Sequence, residues 1–189
     1  PAQLMTVATA AVRDARDGSE FCAQVLRETG LVLNIASGPE EGRLSAQGVL
    51  LGWPDAEGMV CDIGGASLEM AQLSGGDVSN AETAPIGPLP LMDFKGSEAA
   101  LRKKIKREID RLHSRIPGPA ERLFLVGGSW RAVARIDMAR RKYPLHVLHE
   151  YERSTEDLLR TAKWIARQPV EKLSQITDTS LDRLRLLPM

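Results

Sequence analysis

The chain has 189 residues, 43% of them hydrophobic and only 4% aromatic, enough for one full domain or for one domain plus part of another. Lys+Arg and Asp+Glu balance at 25 each, so bulk charge does not drive the protein onto nucleic acid, although a local basic patch could still hold a polyanion. No apolar run is long enough to span a bilayer and no signal peptide is visible, while Cys22 and Cys61 lack metal-ligand spacing and read as reduced thiols of a cytoplasmic protein.

The chain opens on Pro1-Ala2-Gln3 and runs at once into a structured-looking segment, as a fragment of a longer protein would. Leu4–Ala8 reads as a short strand. Ala10–Ala15 leads into a helix over Gly18–Thr29, with Phe21, Val25 and Leu26 at helical spacing and Gly30 as its terminator. Leu31–Ile35 is strand-like. Ser37-Gly38-Pro39 then starts a helix to about Leu51, since Pro suits a first helical position and Glu40 and Glu41 suit its positive end. The turn-rich stretch Gly52–Gly58 is the predicted domain boundary.

Met59–Ile63, Ser67–Leu73 and Val78–Ile86 predict an antiparallel meander. Ser97 caps a helix to about Arg115, with Leu101, Ile105, Ile109, Leu112 and Ile116 as its buried stripe. Its Arg102, Lys103, Lys104, Lys106, Arg107 and Arg111 read as a solvated face balanced by Glu98, Glu108 and Asp110. Leu123–Val126 is a short strand, Trp130–Arg141 a helix and Leu145–Glu150 an extended segment. Thr155–Arg167 is a helix interrupted by Pro169, two short helices follow within Val170–Leu187, and Leu184–Met189 reads as a stop before further structure.

The chemistry concentrates at Asp62-Ile63-Gly64-Gly65-Ala66-Ser67-Leu68-Glu69. Glycines let a backbone approach a ligand and adopt positive φ at little cost. Successive N–H groups in such a turn make a concavity for anions. A carboxylate at each mouth of the turn suits a hard cation such as Mg²⁺, which keeps several waters and needs one or two protein carboxylates besides a phosphate. Gly127-Gly128-Ser129 is a second phosphate-like turn at a helix start, equally readable as a plain capped loop. Glu40 and Glu41 could reach a water as general base, but spacing alone asks no more of them than complementing the helix dipole. Arg13 could clamp phosphate, and spacing alone is met by a surface pair with Asp14 or Asp17.

Taken together and in order, Ala8–Ala15, Ser37-Gly38-Pro39-Glu40-Glu41-Gly42-Arg43-Leu44, Asp62–Glu69 and Gly127-Gly128-Ser129 resemble the exopolyphosphatase and guanosine pentaphosphate phosphohydrolase family, from about Thr6 to at least Arg141. The resemblance implies an α/β fold of actin-like ATPase (ribonuclease H-like) lobes, with residues 1–52 as the end of lobe one and 58–189 as most of lobe two. It implies hydrolysis of a terminal phosphate from inorganic polyphosphate or pppGpp with Mg²⁺, in a protein that forms a homodimer. Glu41 matches the family's water-activating glutamate and Asp62 and Glu69 its metal-associated carboxylates. Gly64, Gly65 and Ser67 match its phosphate loop, Arg13 a substrate arginine, and Gly127 and Gly128 its second glycine turn.

The chain departs from the family pattern at three places. Ala66 stands where a third glycine is usual, which implies a tighter or tilted loop, and Ala10 stands where a small polar residue is common. The family's Asp-Gly-Ser-Asn type hairpin is missing from these residues. The departures keep a second expectation open: a non-catalytic module that binds polyphosphate or nucleotide.

Overall fold

The structure, a computed structural model, describes residues 4–116, 120–177 and 179–187. The opening Pro1-Ala2-Gln3 and the last two residues of the expected stop lie outside them. β1 (Thr6–Ala8) pairs in parallel with β2 (Leu33–Ile35), Thr6 opposite Leu33. Between them run α1 (Ala10–Arg13) and α2 (Gly18–Thr29), and Gly30 closes α2 in the left-handed conformation at φ 73. α3 (Gly38–Gly52) begins with a capping box: the Ser37 hydroxyl accepts from the Glu40 N–H, and the Glu40 carboxylate accepts from the Ser37 N–H at 2.7 Å. Glu40 is thus a cap, and those bonds hold its carboxyl below the usual range.

β3 (Gly58–Ile63), β4 (Leu68–Ser74) and β5 (Asp77–Ala84) form the expected antiparallel meander, and β6 (Leu123–Val126) joins the far side of β3, giving the order β5-β4-β3-β6. Side-chain alternation gives this sheet two working faces. On one, Leu68, Ala84, Ile86, Leu91 and Leu112 make a buried core with Cys61, Ile63, Met70, Leu101 and Ile105 packed against it. That core is closed by α4 (Pro88–Met92), a short helix that the sequence pattern does not predict, and by α5 (Glu98–Arg115), capped by Ser97 as expected. On the other face α3 lies against β4 and β5.

The chain divides into two compact units, Pro1–Leu125 and Val126–Met189. The boundary expected at Gly52–Gly58 falls within the first of these, because α3, which precedes it, packs on the sheet that follows it. In the second unit α6 (Gly128–Arg140), α7 (Thr155–Ile165), α8 (Val170–Ser174) and α9 (Leu181–Leu186) enclose Val133, Ile136, Ile165, Leu173 and Leu184. The segment expected to be extended at Leu145–Glu150 is irregular and ends in a turn: the Tyr151 N–H donates to the Leu148 carbonyl at 3.2 Å, and Glu150 takes φ 59.

Gly58 starts β3 at φ 138, and a Cβ there would stand 2.3 Å from the carbonyl oxygen of Arg122, which accepts the Met59 N–H at 3.0 Å. Gly48, on the open side of α3, has free space where a Cβ would stand, with no atom within 4 Å. Gly58→Ala is therefore expected to destabilise the protein by about 1–3 kcal/mol. Gly48→Ala should stabilise it by roughly 0.5–1 kcal/mol. Thermal unfolding of the two variants should shift the midpoint in opposite directions, and equal shifts would contradict this backbone assignment.

Candidate active site

Three residues form a row straight across the meander. Asp62 on β3 is the register partner of Glu69 on β4, and Glu69 is the partner of Thr83 on β5. The row lies under α3. A Cβ on Gly38 would run into the Thr83 side chain at 2.2 Å, and one on Gly42 would touch the Glu69 Cβ at 3.4 Å. The Ser45 hydroxyl donates to Asp62 Oδ2 in a very short bond. Positions 38, 42 and 45 share one helix face, so their small side chains let the helix settle onto the polar row. The Thr83 hydroxyl donates to Glu69 Oε1 at 2.8 Å.

Glu41 stands one position before Gly42 and is held from the side of β1. Its Oε1 accepts the Ala10 N–H at 3.3 Å, and its Oε2 accepts from Arg13 Nη1 at 2.9 Å. Arg13 also donates to the Ala36 carbonyl at 2.7 Å and lies 3.3 Å from Asp14. The pairing with Asp14 read from the sequence is therefore present, together with the more enclosed one to Glu41. Burial works against the Arg13 cation, but Glu41 and Asp14 outweigh it and raise its pKa.

Glu69 is the electrostatic focus. Burial pushes its carboxyl above the ordinary value of 4.5, hydrogen bonds from Ser67 and Thr83 pull it back, and the charges of Glu41 and Asp62 push it up again. The residue is 5% exposed. Like charges directly opposite on neighbouring strands repel, so Asp62 and Glu69 form a pair that a cation would relieve. Among the described residues no group of three or more His, Cys, Asp or Glu gathers as a ready cation cage. The pair fits Mg²⁺ of the kind held by one or two carboxylates, with water and phosphate completing the shell.

The turn between Asp62 and Glu69 differs from its expected backbone. Gly64, Gly65 and Ala66 are not among the residues with positive φ, so their smallness serves space rather than handedness, and Ala66 fits without strain. A Cβ on Gly65 would press on Leu89 at 3.2 Å. The Gly64 N–H donates to the Ser67 carbonyl at 3.0 Å, and the carbonyls of Gly65 and Ala66 accept from the N–H groups of Leu89 and Gly87. Ser67 is buried, with its hydroxyl engaged by Glu69. Gly127 and Gly128 lie in the second unit, where Gly127 takes φ 102 and opens α6, a conformation that does call for glycine. Sequence reading missed Ser45 and Thr83. The small-residue spacing of Gly38, Gly42 and Ser45 was the available signal for the first, and the meander register for the second.

A family model described as the Ppx/GppA phosphatase family matches residues 1–189. Exopolyphosphatase 1 of Mycobacterium tuberculosis (strain ATCC 25618 / H37Rv) is 30% identical over 136 residues, covering 70% of this chain and 40% of that protein. The chain thus spans about two fifths of the length of the curated relatives it matches. Among solved structures, an exopolyphosphatase from Cytophaga hutchinsonii superposes with TM-score 0.81 at 18% identity, over 99% of this chain and 64% of that one. The Ppx/GppA family member of Aquifex aeolicus superposes with TM-score 0.70 at 23% identity, over 97% of this chain and 62% of that one. The fold is therefore the actin-like ATPase fold of these proteins, present here in part. No helix among the described residues is long and apolar enough to cross a membrane.

The native state binds the Glu69 proton more tightly than the unfolded chain does. Between pH 4.5 and the raised native value, stability therefore falls as pH rises. Glu69→Gln removes that slope, so its stability relative to the parent should increase from pH 4 towards pH 7, as read from urea midpoints. Parallel profiles for the two proteins would mean that Glu69 titrates normally.

Proposed function

Since the chain belongs to the Ppx/GppA phosphatase family, we propose that it carries the catalytic carboxylates of a phosphoanhydride hydrolase acting on the end of inorganic polyphosphate. The observation that carries this reading is the in-register pair Asp62 and Glu69 set beside Glu41 at the seam between α3 and the sheet. Relatives named exopolyphosphatase favour polyphosphate over pppGpp as substrate. Two cysteines without a disulfide suit a reducing compartment such as the cytoplasm.

In this reading Glu41 orients and deprotonates the attacking water. The Ala10 N–H and Arg13 fix the direction of its carboxylate, which supports the near-attack geometry that in-line displacement at phosphorus requires. Arg13 has five N–H donors, enough to keep Glu41 and still reach a phosphoryl oxygen. The N–H groups of Gly65 and Ala66 are the donors that the turn offers to an anion, since that of Gly64 is spent on Ser67. Gly127 and Gly128 would serve a phosphate through the start of α6. Asp62 and Glu69 would hold a Mg²⁺, which would supply charge neutralisation for the phosphate oxygens. Ser45 and Thr83 keep those two carboxylates aimed, whether or not the ion is bound.

One observation favours a second reading, a module that binds polyphosphate without hydrolysing it: both oxygens of Glu41 are already engaged. A single experiment separates the two. In the full-length protein, Glu41→Gln is expected to lower phosphate release by at least about 10²-fold while leaving polyphosphate affinity within a few fold. Unaltered turnover would remove Glu41 as base, and affinity without turnover in the parent would establish the binding module. Asp62→Asn should raise the Mg²⁺ concentration needed for half-maximal rate, and an unchanged titration would take Asp62 out of the metal site.

A further inference from the structure

The second unit holds a charge cluster of opposite sign that the hydrolytic reading does not use. A cavity of about 190 Å³ is lined by Arg140, Arg141, Arg153 and Arg160 and by only two carboxylates, Asp137 and Asp157. Asp137 is 6% exposed and engaged on both oxygens: it accepts from the Tyr151 hydroxyl at 2.6 Å and from the Thr161 hydroxyl, and Arg153 Nε lies 3.1 Å away. Asp157 draws in three guanidinium groups. Arg153 and Arg160 bond it closely, and Arg141 stands at 3.7 Å. Arg140 also lines the cavity; it lies over the Trp164 ring at 4.1 Å and donates to the Thr161 hydroxyl at 3.4 Å.

Four cations facing two carboxylates leave two positive charges in excess, and Glu156, exposed on the rim beside Arg160, offsets at most one of them. Four guanidinium groups also carry far more N–H donors than these acceptors consume. Bringing arginines together against their own repulsion costs energy that a single shared carboxylate does not return in full. Planar forks with spare donors match the oxygens of a tetrahedral oxyanion bidentately.

We infer that this cavity, formed wholly by α6, α7 and the segment joining them, binds a phosphoryl oxyanion, with Arg140 and Arg141 as its ligands and Asp157 as the internal carboxylate that holds the place when the anion is away. Arg153 ties Asp137 to Asp157 and is a structural member of the cluster. The phosphoryl group has two sources, free orthophosphate and a unit of a polyphosphate chain.

The test is calorimetric titration of the full-length protein in EDTA, at constant ionic strength set by chloride, with sodium phosphate in one arm and polyphosphate of defined length in the other. The doubly substituted R140Q/R141Q protein spares the buried Arg153 network. It is expected to lose roughly tenfold or more in metal-independent affinity, with a thermal midpoint lowered only by the lost Arg140–Trp164 contact, and R141Q alone, which keeps that contact, should weaken binding with the midpoint unchanged. Asp157→Asn removes the internal competitor and is expected to tighten binding, a gain that a purely structural salt bridge would not give. Saturation by sodium phosphate identifies the free anion as the ligand, and saturation by polyphosphate alone identifies the chain. Absence of saturable binding in both arms, or equal affinity in the parent and R140Q/R141Q, overturns the proposal. Neither readout depends on hydrolysis, so this result stands apart from that of Glu41→Gln.

Discussion

The first unit depends on one contact: a helix laid on a polar row of a sheet. Asp62, Glu69 and Thr83 run across three strands, and Gly38, Gly42 and Ser45 run along α3 above them. Helices usually pack on sheets through apolar side chains, which keep the two backbones apart by the thickness of a side-chain layer. Here two glycines and a serine remove most of that layer. The helix comes close enough for Ser45 to reach Asp62 and for Gly42 to touch the Glu69 Cβ. That approach excludes water from Glu69, and exclusion of water is the first cause of its raised pKa. The same approach brings Glu41 beside the carboxylate pair, because the residue before a glycine on the seam lies at the margin of the contact.

The arrangement is costly for folding. A buried carboxyl faces another carboxylate in register and feels the charge of a third. Hydrogen bonds from Ser45, Ser67 and Thr83 offset part of that cost without removing the charge. A core built for stability alone would place apolar side chains on this row, as the opposite face of the same strands does with Cys61, Ile63, Leu68 and Met70. An electrostatic cost confined to one face of an otherwise well-packed sheet is the pattern expected of a functional face, and it is what supports the reading of this row as a site.

Much of this was legible in the sequence, and what was missed has a common cause. The turn at Asp62–Glu69 could be read because a hairpin fixes its own register: once residues 64–67 turn, Asp62 and Glu69 must face each other. The α5 stripe could be read because helical period is local. Leu112 and Ile116 are buried, whereas Ile109 is 44% exposed. At about 100° per residue, each step of four positions drifts by roughly 40°, which carries Ile109 to the margin of the stripe. Thr83 was out of reach because its register is set two strands away, through the irregularity at Gln72/Leu73. Ser45 was out of reach because its role exists only once α3 has docked. Glu40 and Glu41 look equivalent as adjacent acids in a first helical turn. The structure separates them, since Glu40 closes a capping box and Glu41 turns to Arg13. Gly64 and Gly65 do not use the positive φ open to glycine, because the turn is shaped by Gly87 and Leu89, which bond its carbonyls from a helix that the sequence pattern does not predict.

The formal net charge of zero hides how the charges are sorted. In the first unit three carboxylates, Glu41, Asp62 and Glu69, stand against one enclosed arginine. In the second, four arginines stand against two aspartates. The first cluster holds an excess of carboxyl groups and the second an excess of guanidinium groups. Potentials at a site fall off within about 10 Å in ordinary salt, so each cluster presents its own sign to a ligand whatever the total. An acid-rich cluster suits a metal-neutralised phosphate and an arginine-rich one suits a bare oxyanion, so the two signs call for different forms of the same anion. Composition could exclude only binding through bulk charge. Both clusters come from folding: each gathers residues that lie apart in sequence, Glu41 with Glu69 and Arg140 with Asp157.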